Sequence, residues 1–118
     1  MVDEALMICE SDRLREGGQG IRFDVSIGGQ NLPAFVVRFK GKPRAYLNQC
    51  GHVPVELDWL EGAFFDADGT HLICSTHGAL YNPATGQCIS GRCNGNGLTP
   101  LNVVEENNRI FLAPKSKT

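Results

Sequence analysis

The chain has 118 residues, 42% of them hydrophobic, with 14 glycines, 6 prolines and a formal net charge of −2. That length suits one domain, residues 1–118, burying roughly two-thirds of the surface its unfolded form exposes, and leaves no room for a second. The 11 Lys and Arg against 13 Asp and Glu form no basic run, which argues against nucleic acid, and no apolar stretch approaches the ~20 residues of a membrane span.

In chain order, Met1-Val2-Asp3-Glu4 is acidic where a secretory signal is basic, and no apolar signal core follows, so a cytoplasmic location is expected. Gly17-Gly18-Gln19-Gly20 does not complete a dinucleotide-binding glycine fingerprint. Ile21, Phe23, Val25 and Ile27 then alternate with Arg22, Asp24 and Ser26, the pattern of an antiparallel strand with one wet face. Gly28-Gly29-Gln30-Asn31 turns the chain into a strand over Pro33 to Phe39. Lys40-Gly41-Lys42-Pro43 turns it again before Arg44 to Leu47. A three-stranded meander is expected.

Next come two short segments that each mix cysteine with histidine, Cys50-Gly51-His52 and Cys74-Ser75-Thr76-His77. In an extended segment residues i and i+2 project to one side, so Cys50 and His52 can point into one cavity. A structural zinc also takes two Cys and two His, although its usual spacing groups like ligands together. Four unconnected residues are the plainest alternative, since cysteine often serves as a small core hydrophobe. Between the pairs, Val53 to Leu60 is the best candidate for one or two helical turns, and Phe65 to Thr70 reads as a hairpin turned at Asp68-Gly69. His71 is expected to be an exposed strand residue ahead of Leu72-Ile73.

After the second pair, Leu98 to Val104 and Arg109 to Leu112 form an expected final hairpin turned at Glu106-Asn107-Asn108. Its apolar faces need partners, and only the early strands can provide them. The fold class is therefore all-β. The expected base is an antiparallel sandwich or barrel of residues 1–46 and 98–114, with residues 47–97 inserted as a lobe. If Cys50 and Cys74 bind metal, Cys9, Cys88 and Cys93 remain, an odd number that prevents complete disulfide pairing. The turn Ile89-Ser90-Gly91-Arg92 could bring Cys88 and Cys93 into bridging range. In a reducing compartment two thiols are expected instead.

The two Cys/His pairs, with the continuation His77-Gly78-Ala79-Leu80-Tyr81-Asn82-Pro83-Ala84-Thr85-Gly86, resemble the ligand pattern of Rieske proteins. The resemblance is clearest from Asn48 to Leu101, and the N-terminal 20 residues carry none of it. It implies one [2Fe–2S] cluster, with Cys50 and Cys74 on the inner iron and His52 and His77 on the outer one. Ser75, where many relatives have Pro, and Val53-Pro54-Val55, where they have a Gly-rich turn, depart from the pattern. The disulfide that braces the respiratory type would fall at Val55 and Thr76 and cannot form. Around the cluster, Gly78 follows the second His, Ala79 stands where high-potential relatives carry a Ser donor, and Tyr81 matches a Tyr that donates to a ligand sulfur.

The resemblance further implies a monomeric one-electron carrier and not an enzyme, passing electrons from a flavoprotein reductase to a terminal oxygenase or other acceptor. Only His71 is left over, too few for a mononuclear iron centre. Electrons would leave through His52 and His77, with Val53, Pro54, Val55 and Leu80 as an apolar rim. The alternative is a small accessory or redox-sensing subunit resembling those of nitrite reductases.

Overall fold

A computed structural model of the chain describes residues 6–49, 56–58, 60–74, 78–91 and 97–113. Ten strands run through it: β1 (Leu6–Glu10), β2 (Ile21–Ile27), β3 (Gln30–Phe39), β4 (Lys42–Leu47), β5 (Leu72–Ile73), β6 (Leu80–Tyr81), β7 (Cys88–Ser90), β8 (Pro100–Leu101), β9 (Val103–Glu106) and β10 (Arg109–Leu112). The only helical element among the described residues is a single 3-10 turn, Ser11–Arg13. The strands form three antiparallel sheets, ordered β1-β10-β9, β2-β3-β4-β8 and β5-β6-β7.

β3 lies inside its sheet and is buried on both faces from Ala34 to Val37. Because strand side chains alternate, its two faces serve different cores. Val36 packs with Cys9, Leu14, Ala45 and Ile110, against the β1-β10-β9 sheet. Phe35 and Val37 pack on the other side with Tyr46, Leu57, Phe64, Leu72, Cys74, Ala79, Tyr81 and Leu98. There the Phe35 and Phe64 rings stack with centroids 4.0 Å apart. The β2-β3-β4-β8 sheet is thus a middle layer, with the first and last strands on one face and the β5-β6-β7 sheet on the other.

The meander β2-β3-β4 runs as its alternation predicts, with paired residues from Ile21↔Val36 to Ile27↔Gln30 and from Ala34↔Leu47 to Phe39↔Lys42. The expected final hairpin is divided between two sheets. β8 joins β4, and after Asn102 the chain moves into β9, which pairs with β10. Asn107 and Asn108, at φ 53° and 63°, give the tight turn between them, a backbone that asparagine tolerates better than most residues. The hairpin at Asp68-Gly69 closes through Asp66 N–H to His71 O (2.9 Å) and a bridge between Phe65 and Leu72.

One strand was not anticipated, and one expectation fails. β1 carries no alternation that announced it. The helical turns expected over Val53 to Leu60 are absent at the described positions 56–58 and 60, where side chains rather than helical i→i−4 bonds satisfy the backbone: Leu57 N–H donates to Asn48 Oδ1 (2.8 Å). Residues 53–55 and 59 of that stretch lie outside the described residues.

Candidate metal centre

Of the four Cys/His residues, Cys74 lies within the described part of the structure; Cys50, His52 and His77 lie outside it. Cys74 follows β5 and is completely buried, as a thiol and not half of a disulfide. Its N–H donates to Ala79 O (2.9 Å), and its own carbonyl accepts from Gly78 N–H (2.7 Å). These two bonds make Cys74 on one side and Gly78 and Ala79 on the other the two ends of a turn between β5 and β6. The turn carries the sequence Ser75-Thr76-His77.

Apolar walls back the turn. Leu57, Phe64, Leu72, Ala79 and Tyr81, all with zero exposure, belong to the cluster that includes Cys74. Ala79 is held tightly: a Cβ at Gly91 would sit 2.6 Å from Ala79 Cα, so only glycine lets the chain just after β7 approach it. Gly78 is exposed and Leu80 half-buried. Tyr81 is buried opposite Cys88 in the β6-β7 pair.

β4 ties this sheet to the middle layer. Tyr46 Oη donates to Pro83 O (2.6 Å), reaching the turn that links β6 to β7. Burial pushes its phenol up to about 12, with the nearby Arg44 charge opposing weakly. Two residues on, past the end of β4, Asn48 leads in sequence into the segment carrying Cys50 and His52. A cleft of about 550 Å3 is lined by Glu10, Ser11, Asp12, Arg38 and Asn108, none of them in the Cys74 cluster. Its guanidinium is committed to structure, since Arg38 donates to Leu14 O, Ser11 O, Gly41 O and the Glu105 carboxylate.

A buried thiol presented by an amide-tied turn against an apolar wall suits a soft thiolate ligand, and the turn's sequence supplies an imidazole three residues on. The donor set therefore fits an iron–sulfur group. The model of the Rieske [2Fe-2S] domain matches residues 4–106. The chain belongs to the Rieske family. Membership brings one [2Fe–2S] cluster as the resident group and one-electron transfer as its chemistry. The match begins at residue 4, so the family likeness includes β1, contrary to the expectation that the first 20 residues lie outside it; β1 is paired with β10, and Cys9 and Ile110 share one core.

Solved structures agree on the fold. The ferredoxin of carbazole 1,9a-dioxygenase from Nocardioides aromaticivorans IC177 is 23% identical with a TM-score of 0.72, covering 96% of this chain and 100% of that one. The ferredoxin of Sphingomonas yanoikuyae B1 is 20% identical with a TM-score of 0.71, covering 95% and 100%. A complex of reduced oxygenase and oxidized ferredoxin in carbazole 1,9a-dioxygenase contains a chain 23% identical with a TM-score of 0.72, covering 97% and 96%. A search of the curated proteins finds no match.

The remaining predicted residues fall as follows. His71 precedes β5, half-buried, with Nδ1 3.0 Å from Thr70 Oγ1 and 3.5 Å from Asp66 Oδ2. Cys9 is a buried thiol in the core shared by β1 and β10. Cys88 is disulfide-bonded, which corrects the expectation of a free thiol there; its partner lies outside the described residues. That expectation weighed the redox state of a compartment, whereas a bridge depends first on whether two Cβ atoms can meet. No helix among the described residues is long and apolar enough to cross a membrane. Two residues that sequence reasoning missed, Asn48 and Asp58, are the buried polar side chains among those described. Single-residue polarity gave no signal for them, because burial is decided by the fold.

Proposed function

We propose that this Rieske protein is a monomeric ferredoxin passing single electrons from a flavoprotein reductase to a terminal oxygenase. Its proposed ligands are Cys50, Cys74, His52 and His77, carried by a lobe of residues 47–97 on a base of residues 1–46 and 98–114. The observation that carries the reading is Cys74, a fully buried thiol in an amide-tied turn that leads directly to His77. When bound, the cluster supplies a site that accepts and returns one electron at intermediate potential.

The chain's own residues do the rest. Leu57, Phe64, Leu72 and Ala79 keep water away from the Cys74 side of the site. Gly78, next to His77 in sequence, is exposed. Tyr81, buried in the same cluster as Cys74, carries a hydroxyl, and Ala79 has none to offer. The oxygenase partner is supported by the family fold, which occurs in a ferredoxin solved with its oxygenase.

Anaerobic purification tests the reading. About two iron and two acid-labile sulfide per chain are expected, with an EPR signal of low average g on reduction. Replacing Cys50 or Cys74 by Ser should abolish the spectrum. Stoichiometric zinc without iron would sink the ligand assignment. A reduced chain that no oxygenase reoxidises would remove the carrier role alone.

A further inference from the structure

Asn48 and Asp58 flank in sequence the segment that holds Cys50 and His52, and their side chains meet. Asn48 Nδ2 donates to Asp58 Oδ1 (3.1 Å), while Asn48 Oδ1 accepts from Leu57 N–H (2.8 Å). These two bonds fix which way the Asn48 amide points. Arg22, reaching from β2, grips the same carboxylate with Nε on Oδ2 (2.8 Å) and a terminal nitrogen on Oδ1 (3.0 Å). Gly62 N–H completes the set on Oδ2 (2.9 Å), and Gly62 O in turn accepts from Gly20 N–H (2.8 Å). Asn48 thus ties the first end to the second, and Arg22 ties the second end to the middle sheet.

Burying a carboxylate and an amide is costly unless each is fully bonded, and apolar residues would hold two chain ends together without that cost. What the polar arrangement adds is direction. Asn48 N–H is bonded to Pro33 O (2.8 Å), so the first end is in register with β3. Leu57, at the second end, packs in the same cluster as Cys74. Leu57 thereby links the Asn48–Asp58 pair to the wall that holds Cys74.

We propose that Asn48, Asp58 and Arg22 are positioning residues for the first ligand segment, acting as a buried polar clasp that holds Cys50 and His52 at the distance the second turn requires. The inference rests on the ligand assignment given above.

The test uses the full, cluster-loaded chain. Iron release to a ferrous chelator is timed by absorbance in wild type, Asn48→Ala, Asp58→Asn and Glu105→Gln. The last variant breaks the Arg38–Glu105 pair (2.8 Å) on the other face of the middle sheet and serves as a control for lost stability. Unfolding in urea is followed on the same samples. Release should accelerate about tenfold or more in the first two variants, as expected for loss of a buried hydrogen bond. It should exceed the release from the control at matched unfolding free energy, and the visible circular dichroism of the cluster should change. Should Asn48→Ala fail to fold, Arg22→Lys, which keeps the charge and loses the two-pronged grip, carries the same comparison.

Release rates that track unfolding free energy alone, with unchanged visible dichroism, would overturn the proposal while leaving the ligands intact. A wild-type chain that holds no iron and sulfide would overturn the ligand assignment, and the clasp with it.

Discussion

Tyr46 shows how one side chain joins two layers. Its ring lies 5.9 Å from that of Phe35 in the core, and its hydroxyl caps the Pro83 carbonyl of the neighbouring sheet. Removing the hydroxyl leaves that carbonyl buried without a donor, so Tyr46→Phe should cost about 1–2 kcal/mol at neutral pH. Burial raises the phenol to about 12, which means the folded chain holds this proton more tightly than the unfolded one. The resulting stabilisation is complete below about pH 10 and declines as pH rises through the folded value. Urea unfolding of both proteins at pH 7 and across the range above 10 should show the wild-type advantage shrinking. A constant difference would mean that the proton on Tyr46 is not coupled to folding.

At the scale of elements, the turn between β6 and β7 depends on Gly86, which has φ +81° and lies against Tyr46. A Cβ there would stand 2.8 Å from Tyr46 Cε1 and 3.1 Å from Leu98 O. Gly86→Ala should therefore cost about 2–3 kcal/mol, combining a strained backbone with overpacking. Gly28→Ala, at φ +59° with nothing within 4 Å, should cost only about 1 kcal/mol. Equal losses in urea melts would show that the backbone alone matters at both sites.

Strands with strict alternation, such as β2, were legible because period two exists only in a half-buried strand. β3 was legible from its turns and its run of apolar residues. β1 was not, since Leu6-Met7-Ile8-Cys9-Glu10 is apolar without a period and takes its strand form from pairing with distant β10. The Cys/His pairs were legible because their residue types and spacing are unusual together. Asn48 and Asp58 were not, because a polar residue beside a loop looks the same in sequence whether it ends up in water or buried.

For the whole molecule, the property that summarises the site is its reduction potential. Rieske centres span roughly −150 to +300 mV, and this chain should fall at roughly −150 to +50 mV. Ala79 has no hydroxyl to offer a sulfur, and Val55 and Thr76 cannot form the bracing bridge. Hydrogen bonds to sulfur favour the more negative, reduced state, so losing them lowers the potential. Tyr81→Phe should lower it by a further few tens of millivolts, since about 1 kcal/mol corresponds to roughly 43 mV for one electron. Spectroelectrochemical titration checks both values, and an unchanged potential in Tyr81→Phe would assign that ring to packing.

The pairing of β1 with β10 also sets the order in which a ribosome can release a finished fold. The β2-β3-β4 meander joins near neighbours and can assemble while synthesis continues, because short loops close at small entropic cost. The sheet around Ile110 cannot. At ~5–20 residues per second, Leu6 to Glu10 must wait several seconds for Arg109 to Leu112, leaving Cys9 and the underside of β3 uncovered throughout. During that interval the nascent chain presents an apolar face, and a chaperone or a neighbouring copy has its opportunity before the last strand arrives.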